Sequence, residues 1–101
     1  MHTGLSHEVI QKIQNVLGSF AEIEKAVLYG SRAKGNYKPG SDIDLTLYGS
    51  GLSLEKLMDI SIALDDLLLP YKIDLSIYTT LDNNELRDHI DRVGIIFFQR
   101  E

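Results

Sequence analysis

The sequence predicts an α/β (α+β) domain, a small mixed β-sheet with helices packed on one face. Three observations predict it. Apolar residues recur at helical spacing in three segments, short apolar runs with period-two alternation lie between them, and Gly, Pro and Ser mark the joints. The expected order is αβ(α)βαβαβ, and 101 residues are enough for one domain, 1–101, with one core.

Residues 1–5 read as a frayed terminus. From Ser6, a natural N-cap, Val9, Ile10, Ile13, Val16, Leu17 and Phe20 form one apolar stripe that Gly18 brings to an end. Residues 26–29 read as a strand running into Gly30, and residues 31–34 as a single helical turn closed by Gly35. The loop 36–41 carries Pro39-Gly40 turn chemistry. In the strand 43–48, Ile43, Leu45 and Leu47 face one way; Asp44, Thr46 and Tyr48 face the other, together with Asp42 just before it. Ser53 caps a helix expected to run to about residue 69, where Pro70 stops it. The strand 72–78 repeats the alternation, with Ile73, Leu75 and Ile77 opposite Lys72, Asp74, Ser76 and Tyr78. A last helix over about 82–92, with Gly94 as its C-terminal cap, leads into a closing strand at 95–98.

Composition narrows the function. With no cysteine, thiolate catalysis, disulfides and Cys-based zinc sites are excluded. No apolar run has the length of a membrane span, and the first residues do not have the form of a signal peptide, so a cytoplasmic address is expected. The net charge of −5 argues against direct nucleic-acid binding. That charge is uneven: residues 25–41 carry Lys25, Arg32, Lys34 and Lys38 and no acid, a local +4 that leaves −9 elsewhere. An anion-attracting loop therefore sits on an acidic protein.

The chemistry gathers around this loop. Asp42 and Asp44 leave the same face of one strand with Cα atoms roughly 6.5–7 Å apart, and carboxylates so placed repel unless a cation neutralises them. Mg²⁺ suits such an oxygen site because it retains waters and substrate phosphates as further ligands. Asp74 lies on the polar face of another strand. If the two strands are neighbours, three acids converge, enough for two metals about 4 Å apart. Gly30 lets a phosphate approach the backbone, Ser31 opens a helical turn and offers a hydroxyl, and Arg32, Lys34 and Lys38 add positive charge. Taken singly, Ser31 and Asp42 are ordinary caps and Asp74 an ordinary ion-pair partner; as a set they describe a metal–nucleotide site. His2 and His7 lie near the terminus, and His89 reads as a surface or packing residue.

Gly30-Ser31-x₁₀-Asp42-x-Asp44 resembles the signature of the DNA polymerase beta-like nucleotidyltransferase superfamily. Gly30-Ser31-Arg32-Ala33-Lys34-Gly35 with Ser41-Asp42-Ile43-Asp44-Leu45 is most similar to the minimal nucleotidyltransferase (MNT) group, which includes the MntA-type antitoxins. The resemblance spans residues 27–98. It implies the minimal nucleotidyltransferase fold, metal binding by Asp42, Asp44 and Asp74, and triphosphate contacts from Gly30 and Ser31. It also implies ATP as substrate and a HEPN-domain ribonuclease toxin as partner, silenced by transfer of AMP to one of its tyrosines. Asp74 is the expected base for the attacking hydroxyl.

Two further expectations concern the acceptor. The predicted elements use up the chain, so the acceptor must bring its own recognition surface, most simply as a docking protein. The apolar stripe of the helix 53–69 (Leu54, Leu57, Met58, Leu64 and Leu68, flanked by Ile60, Ile62, Leu67 and Leu69) is wider than a monomer's surface helix needs. Deep burial explains this, and so does a partner interface; an oligomer is a separate expectation not tied to this stripe. The alternatives to catalysis on a toxin are an antitoxin that acts by binding alone and a transferase for a small-molecule or RNA acceptor. Three convergent acids favour catalysis over binding alone.

Overall fold

A computed structural model describes residues 2–101. In chain order the elements are α1 (His7–Gly18), β1 (Lys25–Tyr29), α2 (Ser31–Lys34), β2 (Ile43–Tyr48), α3 (Leu54–Asp65), β3 (Ile73–Ile77), a 3₁₀ turn at Tyr78–Thr80, α4 (Asn84–Val93) and β4 (Ile95–Gln99). The four strands form one sheet in the order β3-β2-β1-β4. β1 is antiparallel to both β2 and β4, while β2 and β3 are parallel, so the sheet is mixed as expected. The parallel pair follows from α3, a crossover long enough to return the chain to the end of the sheet where β2 began.

Side-chain caps set the helix starts. Ser6 accepts from the Val9 amide at 3.1 Å, Ser53 from Lys56 at 3.2 Å and Asn83 from Leu86 at 3.1 Å. α3 ends at Asp65, four residues short of expectation. Its last amides tighten to i−3 bonds, Leu67 to Leu64 and Leu68 to Asp65, and Leu68 turns left-handed with φ +55°. Pro70 disfavours helical backbone at Leu69, so the chain leaves the helix before reaching it.

The main core lies between one sheet face and helices α1 and α3. Ala26, Leu28, Ile43, Leu45 and Leu47 meet Ile13, Leu17, Ile60 and Leu64. The terminus is not frayed here. Met1 lies outside the described residues, but Thr3 and Leu5 are buried, and Leu5 belongs to this core.

The expectation of helices on one face needs a correction, because α4 covers part of the other. Its Ile90 packs on Val27 and Tyr29 of β1, with Tyr48, Tyr78, Leu81 and Leu86 around them. The physical reason is β1 itself: all of residues 26–29 are apolar or aromatic, the composition of a strand covered on both faces. Gly94 reflects the same packing. It caps α4 with φ −60° rather than a left-handed turn, and a Cβ there would overlap the Ile90 carbonyl and Val27.

Candidate active site

The register of the sheet builds the site. Tyr29 pairs with Asp44 across the antiparallel β1–β2 ladder, and Asp44 pairs with Asp74 across the parallel β2–β3 ladder. One row of side chains thus crosses three strands, with neighbouring strands about 4.8 Å apart. Val27, Thr46 and Ser76 make the next row, in which the Ser76 hydroxyl donates to Thr46 Oγ1 at 3.0 Å. Asp42 precedes Asp44 by two residues and shares its face. The structure therefore brings together the three acids singled out from the sequence.

Electrostatics agree with that convergence. Burial holds the Asp44 carboxyl above the usual carboxylate range, and the charges of Asp74 and then Asp42 add to the rise; His89 and Lys72 oppose it. Asp42 and Asp74 are exposed, and neither carboxylate makes a hydrogen bond or ion pair among the described residues. Among those residues no three His, Asp or Glu side chains are already gathered in ligating geometry. The donor chemistry nevertheless fits a hard cation, since the oxygens are carboxylates without hydrogen-bond or ion-pair partners among the described residues, and burial and then the charges of its neighbours raise Asp44. Tyr29 lines the same row. Burial raises its phenol above the usual range, the nearby Ser76 hydroxyl lowers it in part, and the charges of Asp44 and Asp74 raise it further.

Gly30 couples the acids to the turn beside them. Its φ of +76° and ψ of −155° lie in a region reserved for glycine, and a Cβ would overlap Asp44 Oδ2. The chain can therefore turn from β1 into α2 directly against the carboxylate. Ser31 then opens α2, a single turn closed by Lys34 N–H to the Gly30 carbonyl at 3.0 Å and Gly35 N–H to Ser31 at 2.9 Å.

Arg32 is not where the sequence placed it. Expected to face phosphate, it is 1% exposed. Its guanidinium donates to Ser41 O through Nε (3.1 Å) and Nη2 (2.9 Å), to Pro39 O (3.2 Å) and to Thr3 O (2.9 Å). Tyr37 and Tyr71 flank it, with ring centres 5.3 and 4.9 Å away. The planar fork of donors suits three converging carbonyls, and it clamps the loop that delivers Asp42. Lys34 and Lys38 are exposed and make no ion pair among the described residues.

One site residue was missed from the sequence. His89 Nε2 accepts the Gly30 amide at 3.1 Å, and its ring meets Tyr29 edge-on with centroids 6.2 Å apart. The signal was present. His89 falls with Leu86, Ile90 and Val93 on the inward stripe of α4, and that helix packs on the site's own face. A cleft of about 690 Å³ between α1 and β4 contains none of these residues.

Comparison with known proteins fits this geometry. The profile of the family described as polymerase beta, nucleotidyltransferase matches residues 11–101. Among solved structures, a toxin–antitoxin with AMP-PNP superposes with a TM-score of 0.73 at 19% identity, over 91% of this chain and 74% of that one. A complex of the tri-AMPylated Shewanella oneidensis HEPN toxin with MNT antitoxin gives 0.71 at 16% identity, over 95% and 74%. The toxin–antitoxin MntA–HepT gives 0.69 at 16% identity, over 94% and 74%. At such identities the likeness is one of fold. No curated protein matches the chain by sequence.

Proposed function

The chain belongs to the polymerase beta nucleotidyltransferase family, and from that premise we propose that it transfers AMP from ATP to a hydroxyl, a tyrosine, of a HEPN-type toxin partner. The observation that carries this reading is the Asp44–Asp74 pairing with Asp42 alongside, directly against the Gly30-Ser31 turn. The structural neighbours support the setting: one is a toxin–antitoxin with AMP-PNP, and another is a complex of a tri-AMPylated HEPN toxin with an MNT antitoxin. We read residues 1–101 as a single nucleotidyltransferase domain acting in the cytoplasm. No described helix is long and apolar enough to cross a membrane.

In this reading Asp42, Asp44 and Asp74 hold divalent metal, two Mg²⁺ ions. Metal held by these carboxylates would supply charge neutralisation at the phosphates and orientation of the attacking and leaving oxygens. The protein's own groups do the rest. Gly30 and Ser31 seat the triphosphate, and Lys34 adds charge to its solvent side. Asp74, the most exposed member of the Asp44–Asp74 pair, takes the proton of the acceptor hydroxyl. The hydroxyl oxygen then bonds to the α-phosphorus, the bond to the β-bridging oxygen breaks, and pyrophosphate leaves. Arg32 acts at one remove by bracing the 39–41 turn before Asp42, and His89 fixes the Gly30 amide.

The test is which phosphate travels. Incubated with Mg²⁺ and the partner toxin, the protein transfers label from α-labelled ATP and none from γ-labelled ATP. Transfer of γ-label, or protection of cells by a protein that transfers neither, refutes the reading.

A further inference from the structure

α3 keeps an apolar ridge out of the core. Leu54, Met58 and Ile62 are 72, 60 and 58% exposed at i, i+4 and i+8, while Ile60 and Leu64 of the same helix are buried. The ridge spans about 12 Å. Leu68, 88% exposed, follows three residues beyond the helix end. On an acidic protein this surface is more acidic still. Glu55, Asp59, Asp65 and Asp66 are exposed and form no ion pair among the described residues, whereas the helix's one base, Lys56, is turned away and paired with Glu22 at 3.5 Å.

We propose that this face of α3 docks the partner protein through a helix with an apolar spine flanked by Lys and Arg. The inference rests on the reading that the acceptor sits on a protein, and it names the surface that recognises it. A row of i±4 side chains is the ridge that fits between the side-chain rows of another helix. The unpaired acids select a basic partner. A second copy of this chain is disfavoured by the same charges, because a two-fold contact would set four carboxylates against four. An anionic membrane surface is disfavoured likewise.

Position supports the assignment. α3 returns the chain to the end of the sheet where β2 and β3 both begin, which is the end that carries Asp42, Asp44 and Asp74. Tyr71, in the link from α3 to β3, lies against Arg32, the residue that braces the loop before Asp42. α3 packs on the Ile43, Leu45 and Leu47 face, opposite Asp44, so a partner lying along it presents its tyrosine by reaching round this end of the sheet.

The probe is a nuclease-inactivated HEPN toxin, the kind of protein seen with the MNT antitoxin in a structural neighbour, titrated calorimetrically at low and high salt. Met58→Glu and Ile62→Glu each weaken binding about thirtyfold or more, and the Glu55→Lys, Asp59→Lys pair weakens it about tenfold and flattens its salt dependence. All three variants melt and bind ATP like wild type, while Asp44→Asn binds the toxin normally. Undiminished toxin binding by both Glu variants overturns the docking surface even where AMP labelling proceeds. So does a wild-type chain that binds no toxin, or a ridge whose substitution abolishes self-association instead. Conversely, toxin binding that depends on α3 without any labelling sustains the surface and refutes the transferase reading alone.

Discussion

Gly30→Ala separates what the turn does for folding from what it does for chemistry. The backbone there, at φ +76° and ψ −155°, is essentially closed to other residues, so the substitution costs about 1–3 kcal/mol in strain. For a chain of 101 residues that corresponds to a fall in Tm of roughly 5–20 °C. The new Cβ also meets Asp44 Oδ2, the free end of a side chain that can rotate away cheaply. Its escape requires a shift of about 1 Å, and misplacement on that scale costs a reacting site about a hundredfold in rate. The assay pairs thermal melts with initial rates of α-label transfer measured well below Tm, where the variant is folded. The expected outcome is a folded protein with kcat down about a hundredfold. A variant that loses stability but labels within threefold of wild type refutes the coupling of this turn to Asp44.

Other residues give further tests. Arg32→Met strips a buried set of carbonyls of their donors and destabilises by about 3–4 kcal/mol in urea unfolding; a stable variant with a sharply raised KM for ATP would instead return Arg32 to the phosphates. Asp44→Asn is more heat-stable than wild type at pH 7.5 without metal. The native state holds the Asp44 proton more tightly than the unfolded chain does, so ionising Asp44 costs stability above its raised native pKa. That gain disappears as pH falls through the raised pKa to below the ordinary carboxylate value, and a gain constant across pH would refute the crowding of acids. Leu68→Gly relieves a left-handed φ of +55° and stabilises by about 0.5–1 kcal/mol; a lower denaturation midpoint contradicts this.

Much of the site was legible because strand alternation is strict. Period two placed Asp42 and Asp44 on one face of their strand and Asp74 on the polar face of another; that the two strands are neighbours, with Asp44 beside Asp74, was left open by the sequence and is set by the parallel register of β2 and β3. Other features depend on long-range contacts that local sequence does not encode. Arg32 looked like a phosphate ligand because it adds to the local positive charge beside the Gly30-Ser31 turn. Its burial needs Thr3, Pro39 and Ser41 to bring their carbonyls together, with Tyr37 and Tyr71 on either side. The placement of α4 and the role of His89 were partly readable, from the unbroken apolar run of β1 and from a histidine within an inward stripe. The stripe of α3 allowed either burial or an interface, and the fold divides it: Ile60 and Leu64 face the core, while Leu54, Met58 and Ile62 remain outside.

The central claim is that three carboxylates on two neighbouring strands act as one site for nucleotidyl transfer. It is tested most directly by α-label transfer from ATP·Mg²⁺ to the partner toxin, with Asp42→Asn, Asp44→Asn and Asp74→Asn measured side by side. Each substitution is expected to reduce labelling by at least about a thousandfold while toxin binding persists. Wild-type labelling by Asp74→Asn would contradict the account, because it would leave the Asp44–Asp74 pairing without a part in the chemistry.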